Sequence, residues 1–198
     1  MIQKIRHMSK ELDVMELYLD DYSKTFSGRT IAGKTALSPQ TALSNLNQMV
    51  KEQILSFTVR GRNKEYKLNL ENLQTRIMLE MAESYKAIRR LQNKELNILL
   101  SETAPYCESI ILFGSFASWT ETKDSDIDLV IVGRADKGKI RQIRNKYSRE
   151  INIEFISLSD LKKSFKEKKA LAIEILKKHI LFGNIKPIID IFLEYYTR

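Results

Sequence analysis

Along the first hundred residues the apolar positions change their period twice. In "KELDVMELYLDDYSKTF", Leu12, Met15, Leu17, Leu19 and Tyr22 stand among charged residues at spacings nearer an amphipathic helix than a buried strand, so the chain is expected to reach Gly28 from a helix. "SPQTALSNLNQMVKEQIL" places Ala42, Leu46, Met49 and Val50 on one helical face, with Ser38 as N-cap and Pro39 as the first helical residue. Gln40, Thr41, Ser44, Asn45 and Gln48 then face outward, a short, polar and uncharged set suited to hydrogen bonding at base edges. In "ILSFTVRGRNKEYKLNL" the period drops to two. Leu55, Phe57 and Val59 lead to a break at Gly61, among Arg60, Arg62 and Lys64, and Tyr66, Leu68 and Leu70 resume, which predicts a hairpin with a basic tip. From Asn72 to about Ala104 no Gly or Pro intervenes. Ile77, Met81, Tyr85, Ile88, Leu91, Leu96 and Leu99 recur at helical spacing, predicting one long helix or two abutting ones, with the stripe as core or homodimer seam.

The second half reads differently. "SIILFGSFASWTETKDSDIDLVIVG" opens with a strand from Ile110 to Phe113, turns at Gly114-Ser115, passes a short helical segment and a charged loop, and enters a second strand from Ile127 to Val132. "REINIEFISLSDL" adds a strand over 151–156, and the lysine-rich stretch after it is expected to be helical, ending in the apolar Ile180 to Phe182. These elements define an α+β chain with three segments: residues 1–70, a helical connector over 71–104, and a third over 105–198 carrying a small mixed sheet flanked by helices.

Composition narrows the chemistry. A chain of 198 residues with one cysteine and two histidines can form neither an intramolecular disulfide nor a Cys/His zinc cluster, so any metal is expected on oxygen ligands. No apolar run approaches the roughly 20 residues of a membrane span, and "MIQKIRHMSKELD" carries no export signal, so a cytoplasmic location and no membrane partner are expected. The net charge of +8 favours polyanions such as nucleic acid or nucleotides.

Two motifs compete for a phosphate. "GRTIAGKT", Gly28 to Thr35, matches the P-loop string letter for letter. That string binds phosphate only where a buried strand enters the glycines and a helix leaves the Lys-Thr. Here an amphipathic helix is expected before it and Ser38-Pro39 follows at once, so its glycines are expected to serve as turn and helix-packing positions. The second motif is Asp126-Ile127-Asp128 at the start of a strand. Its period of two points both carboxylates to one face, with Cα atoms about 6.5–7 Å apart, able to hold a divalent cation. Asp124, Asp126 and Asp128 do not open an EF-hand, since its sixth position would be Leu129 and its twelfth Ala135. Gly114 permits close backbone approach to a phosphate, and Ser115 offers a hydroxyl and an N–H.

Two resemblances follow from these segments. Residues 5–70, in the order helix, helix, turn, helix, basic hairpin, resemble the winged helix-turn-helix family. That resemblance implies a recognition helix over 38–50 entering a DNA major groove and a wing laying Arg60, Arg62 and Lys64 along phosphates. Residues 96–185, through Gly114-Ser115 and Asp126-Ile127-Asp128, resemble the DNA polymerase beta-like nucleotidyltransferases of the minimal prokaryotic type. The second resemblance implies a third carboxylate on the next strand, carried over to Glu154, and two Mg²⁺ ions held by Asp126, Asp128 and Glu154. It further implies a nucleotide, AMP from ATP being the expected case, transferred to an acceptor. A partner protein is the expected acceptor, as in toxin-antitoxin pairs. The family usually carries Ala-Arg-Gly after its Gly-Ser, where this chain has Ala117, Ser118 and Trp119. The absent basic residue weakens the expected triphosphate contact or moves it to Lys123 or another lysine. The alternative is a DNA-binding regulator whose second domain binds nucleotide or partner without catalysis.

Overall fold

The computed structural model describes the backbone of residues 2–197 and the side chains of residues 9–197. The chain divides into two compact units, Met1–Tyr85 with Tyr196–Arg198, and Lys86–Tyr195. No helix among the described residues is long and apolar enough to cross a membrane.

The first unit runs α1 (Ile2–Glu16), β1 (Phe26–Ser27), α2 (Gly28–Lys34), α3 (Pro39–Lys51), β2 (Leu55–Arg60) and β3 (Asn63–Leu68), then enters α4 (Leu73–Arg90). Its sheet is antiparallel in the order β1-β3-β2. Capping fixes the helix starts: Ser27 accepts from the Thr30 N–H and Ser38 from the Thr41 N–H, with Pro39 in the first turn. Ile31, Leu46, Met49, Leu55, Tyr66 and Leu79 are among the buried side chains, and the Tyr18 hydroxyl donates to the Tyr66 carbonyl at 3.0 Å. The expected hairpin forms with Leu55 opposite Leu68 and Arg60 opposite Asn63. Gly61 takes φ +62 at its turn.

Three details depart from expectation. The first helix ends at Glu16, and the two-residue β1 leads into Gly28. Lys34 closes α2 and Thr35 caps it, so the Lys-Thr pair sits at a helix C-terminus, where the dipole repels phosphate. A Cβ added at Gly28 would meet Leu46 at 3.6 Å and Tyr66 at 3.7 Å, so this glycine does sit at a packed position, whereas nothing would meet a Cβ on Gly33 within 4 Å.

The 71–104 region is two helices, α4 and α5 (Lys94–Thr103), the second begun by Asn93 accepting from the Leu96 N–H. The stripe expected on α4 is not its buried side. Ile77 and Ile88 are exposed, because Met78, Leu79, Ala82 and Ala87 form a competing face that is buried.

After a short 3-10 turn over 104–106, the second unit continues through β4 (Cys107–Phe113), α6 (Gly114–Ser118), β5 (Ile127–Ala135), α7 (Lys137–Arg144), β6 (Ile151–Ile156), α8 (Leu158–Lys166), α9 (Ala170–Lys177), β7 (His179–Gly183) and α10 (Lys186–Tyr196). The four-stranded sheet has the order β6-β5-β4-β7. The pairs β4–β5 and β4–β7 are antiparallel and β5–β6 is parallel. The sheet is thus small, mixed and flanked by helices, as expected. The apolar tail segment proves to be β7, an edge strand against β4. One core layer joins Leu96, Leu99 and Leu100 of α5, Ile140 and Ile143 of α7, and Ile110, Leu112, Ile127, Leu129, Ile131 and Ile151 of the strands.

Burial pushes the Cys107 thiol from its ordinary 9.0 up to about 11. The fold therefore favours the protonated thiol, and the unfolded chain gives up its proton first. Stability from this group is intact below about pH 9 and declines as pH rises toward 11. At pH 7.5 Cys107 should alkylate far more slowly in the native chain than in urea, and the native rate should keep rising up to about pH 11, whereas the rate in urea levels off above about pH 9; equal rates at pH 7.5 would contradict the buried environment.

Candidate functional site

The antiparallel register of β4 with β5 sets Phe113 opposite Asp128, so the turn after β4 and the acids opening β5 meet at one end of the sheet. Gly114 has φ +69, and a Cβ there would overlap Asp128 Oδ2. Backbone and carboxylate therefore approach as closely as only glycine allows. The alternation at Asp126, Ile127 and Asp128 is half-buried, buried, half-buried, which puts Ile127 into the core and both acids on the other side.

Neither acid is neutralised by a cation among the described residues. Asp126 makes no hydrogen bond or ion pair there, and Asp128 Oδ1 accepts only from Asn152 Nδ2, at 3.1 Å. The Ser115 hydroxyl is half-buried and likewise without a partner. The loop delivering Asp126 is held by Arg149, whose Nη1 donates to the Lys123 carbonyl at 2.9 Å and to the Ser125 carbonyl, while its Nε pairs with Glu95 at 2.8 Å. Phe116, the third residue of α6, is buried, with the guanidinium groups of Arg149 and Arg90 each 5.4 Å from its ring. This packing anchors the Gly114-Ser115 turn to the core.

The structure brings Gly114, Ser115, Asp126 and Asp128 to one end of the sheet. It does not bring Glu154 to the same level. In the parallel β5–β6 register Asn152 faces Asp128 and Glu154 faces Val130. Glu154 thus shares the face but lies two residues, about 6.6 Å, further along the edge strand, and is exposed. No group of three or more His, Cys, Asp or Glu among the described residues gathers closely enough to hold a metal ion. The donor set that fits Mg²⁺ is instead two carboxylates, which suffices for an ion that keeps waters and substrate phosphates as its other ligands. Lys123 is exposed in the loop, and its side chain makes no hydrogen bond or ion pair among the described residues. Sequence reasoning missed Asn152 and Arg149. The in-register position of Asn152 depends on strand pairing, and Arg149 acts through backbone carbonyls, so neither leaves a spacing signal.

In the first unit Arg60, Arg62 and Lys64 are exposed at the hairpin tip, with the Lys64 ammonium 4.3 Å over the Phe57 ring. Gln40 and Ser44 are exposed on α3, whereas Thr41 is half-buried and its hydroxyl bonds that of Ser38 at 2.8 Å. Asn45, expected to face outward, is only 2 % exposed, and its Nδ2 has no partner. It lies three residues after Ala42 and four before Met49, on the same helical stripe, and the 3.6 period would have placed it inward. Leu43 and Asn47 take the outward positions. A groove of about 730 Å³ runs between α2, the start of α3 and the hairpin, with Leu43 and Tyr66 in its wall and Arg29, Arg62 and Lys64 around it.

Gly114→Ala should cost about 1–2 kcal/mol from the left-handed backbone alone and displace Asp128. A lowered melting temperature is the expected result; an unchanged one would contradict the close approach of the turn to the carboxylate.

Residues 93–186, just under half of the chain, match the family model described as "Polymerase beta, Nucleotidyltransferase". No curated protein matches the chain. A solved structure described as "Structure of TrmBL2, an archaeal chromatin protein, shows a novel mode of DNA binding" is 12 % identical over 92 % of this chain and 88 % of that one, with a TM-score of 0.25, a likeness too slight to bear on fold or function. The family match supports a polymerase beta-like nucleotidyltransferase domain in the stretch that contains Gly114, Ser115, Asp126 and Asp128.

Proposed function

We propose that this protein transfers a nucleotide, AMP from ATP being the expected case, to an acceptor hydroxyl, releasing pyrophosphate. The observation that carries the reading is the pair of half-buried carboxylates, uncompensated by any cation among the described residues, beside a Gly-Ser turn inside the family match. Asp126 and Asp128 would hold Mg²⁺, which when bound supplies charge neutralisation for the triphosphate and for the phosphorus under attack. Asn152 orients Asp128 through its amide, leaving the second carboxylate oxygen toward the turn. Ser115 and the N–H groups of the turn offer donors to phosphate oxygens, and Lys123 is a cation within the adjoining loop. Glu154, proposed as the third carboxylate, would take the acceptor's proton or help hold a second Mg²⁺.

The first unit is proposed to be a winged helix that binds DNA, a reading supported by its helix order, by the β1-β3-β2 sheet and by the basic rim of its groove. Gln40, Thr41 and Ser44 remain the proposed base-edge contacts, and Arg60, Arg62 and Lys64 the phosphate contacts. Asn45 is withdrawn from that set. A partner-protein acceptor, a toxin-antitoxin role and a homodimer using the exposed Leu73, Ile77 and Ile88 of α4 are further parts of the proposal. The second reading, a regulator that binds without catalysing, is favoured by Ser118 and Trp119 standing where the family usually has a basic residue and glycine.

Incubation with labelled ATP, Mg²⁺ and the product of the neighbouring gene should transfer label with the wild type and lose it at least about a hundredfold in Asp126→Asn. Absent transfer beside intact DNA binding would favour the regulator. Glu154→Gln and Asn152→Ala separate the two residues of β6: a third metal-site carboxylate predicts the larger loss for Glu154→Gln. Replacing Arg60, Arg62 and Lys64 by alanine together should weaken duplex affinity and reduce its salt slope by about 2 to 3; an unchanged slope would remove the hairpin from the interface.

A further inference from the structure

Trp119 takes φ 59 at the C-cap of α6, a left-handed position where glycine is the ordinary residue and a bulky side chain is strained. Such strain persists where the surroundings over-determine it, and it concentrates at functional sites. The ring is held from behind. The Arg90 guanidinium lies 4.5 Å from its centroid, and Arg90 is itself only 2 % exposed and paired with Glu121. Trp119 nonetheless remains 50 % exposed, so an indole with a guanidinium against it keeps half its surface open to solvent. The five residues of α6 rise only about 7.5 Å, which leaves Trp119 within a nucleotide's length of Gly114 and of the Asp128 carboxylate packed on it.

We infer that Trp119 is a stacking platform for the base of the bound nucleoside triphosphate, an inference that rests on the nucleotide reading above. With the phosphates at Asp126, Asp128 and the Gly114-Ser115 turn, the base stacks on the open indole face, in the sequence-tolerant manner of aromatic platforms. Purines, with the larger ring overlap, bind better than pyrimidines. The position also accounts for an aromatic residue being kept where glycine would relieve the backbone.

The chain holds a single tryptophan, so its emission reports on this residue alone. On the full chain with Mg²⁺, ATP should quench that emission saturably and more tightly than CTP, while inorganic tripolyphosphate should displace ATP without quenching. Trp119→Phe should keep ATP affinity within about threefold. Trp119→Gly, which removes the strain and so retains the fold, should lose about five- to a hundredfold in ATP affinity, the range of base stacking, with tripolyphosphate affinity unchanged. ATP binding that leaves the emission unaltered, or equal ATP affinity in Trp119→Gly, overturns the platform while leaving the nucleotide site standing; Trp119 then only covers the Arg90–Glu121 pair. Failure of both ATP and tripolyphosphate to bind the wild type overturns the nucleotide reading and the platform with it.

Discussion

Everything at the acidic site depends on the contact between Gly114 and Asp128. The β4–β5 register brings them opposite one another, and the missing side chain at Gly114 lets a carboxylate rest against the backbone of the turn. A sheet of four mixed strands provides that register at low cost, because Ile110, Leu112, Leu129 and Ile131 bury one face continuously against α5 and α7. Phe116 then anchors the turn, and Arg149 anchors the loop, so both sides of the site are tied to buried structure. The acids stay half-buried and reachable from solvent while the turn and the loop that carry them are tied down.

The cationic side chains divide between two tasks. Arg90 and Arg149 are consumed within the fold, one beneath Trp119 and one on loop carbonyls. Neither approaches the acids as a counter-ion. The carboxylate charge of Asp126 and Asp128 is thereby left without a cationic partner among the described residues. In the first unit the cations of the hairpin tip are exposed, an arrangement suited to a polyanion and of little value to stability.

The string "GRTIAGKT" shows how far a local pattern can mislead. Its Lys-Thr ends a helix instead of opening one, so the dipole has the wrong sign for phosphate, and a Cβ added at Gly33 would meet no neighbour. The two-residue β1 before it escaped notice because a strand of that length has no period of its own.

What the sequence determined was local. Period two marked the hairpin, continuous apolar runs marked the strands at Ile110 and Ile127, capping residues marked α3, and the Gly-Ser turn with its paired aspartates marked the candidate site. What the tertiary structure decided was pairing and competition between faces. Ile77 and Ile88 stayed out because Met78, Leu79 and Ala82 were buried in their place, and β7 formed because β4 had an unpaired edge, whereas the inward turn of Asn45 was already written in the helical stripe it shares with Ala42 and Met49. The β5–β6 register set Asn152, not Glu154, beside Asp128. Periodicity fixes which side chains share a face. Only hydrogen-bonded register between distant strands fixes which of them meet.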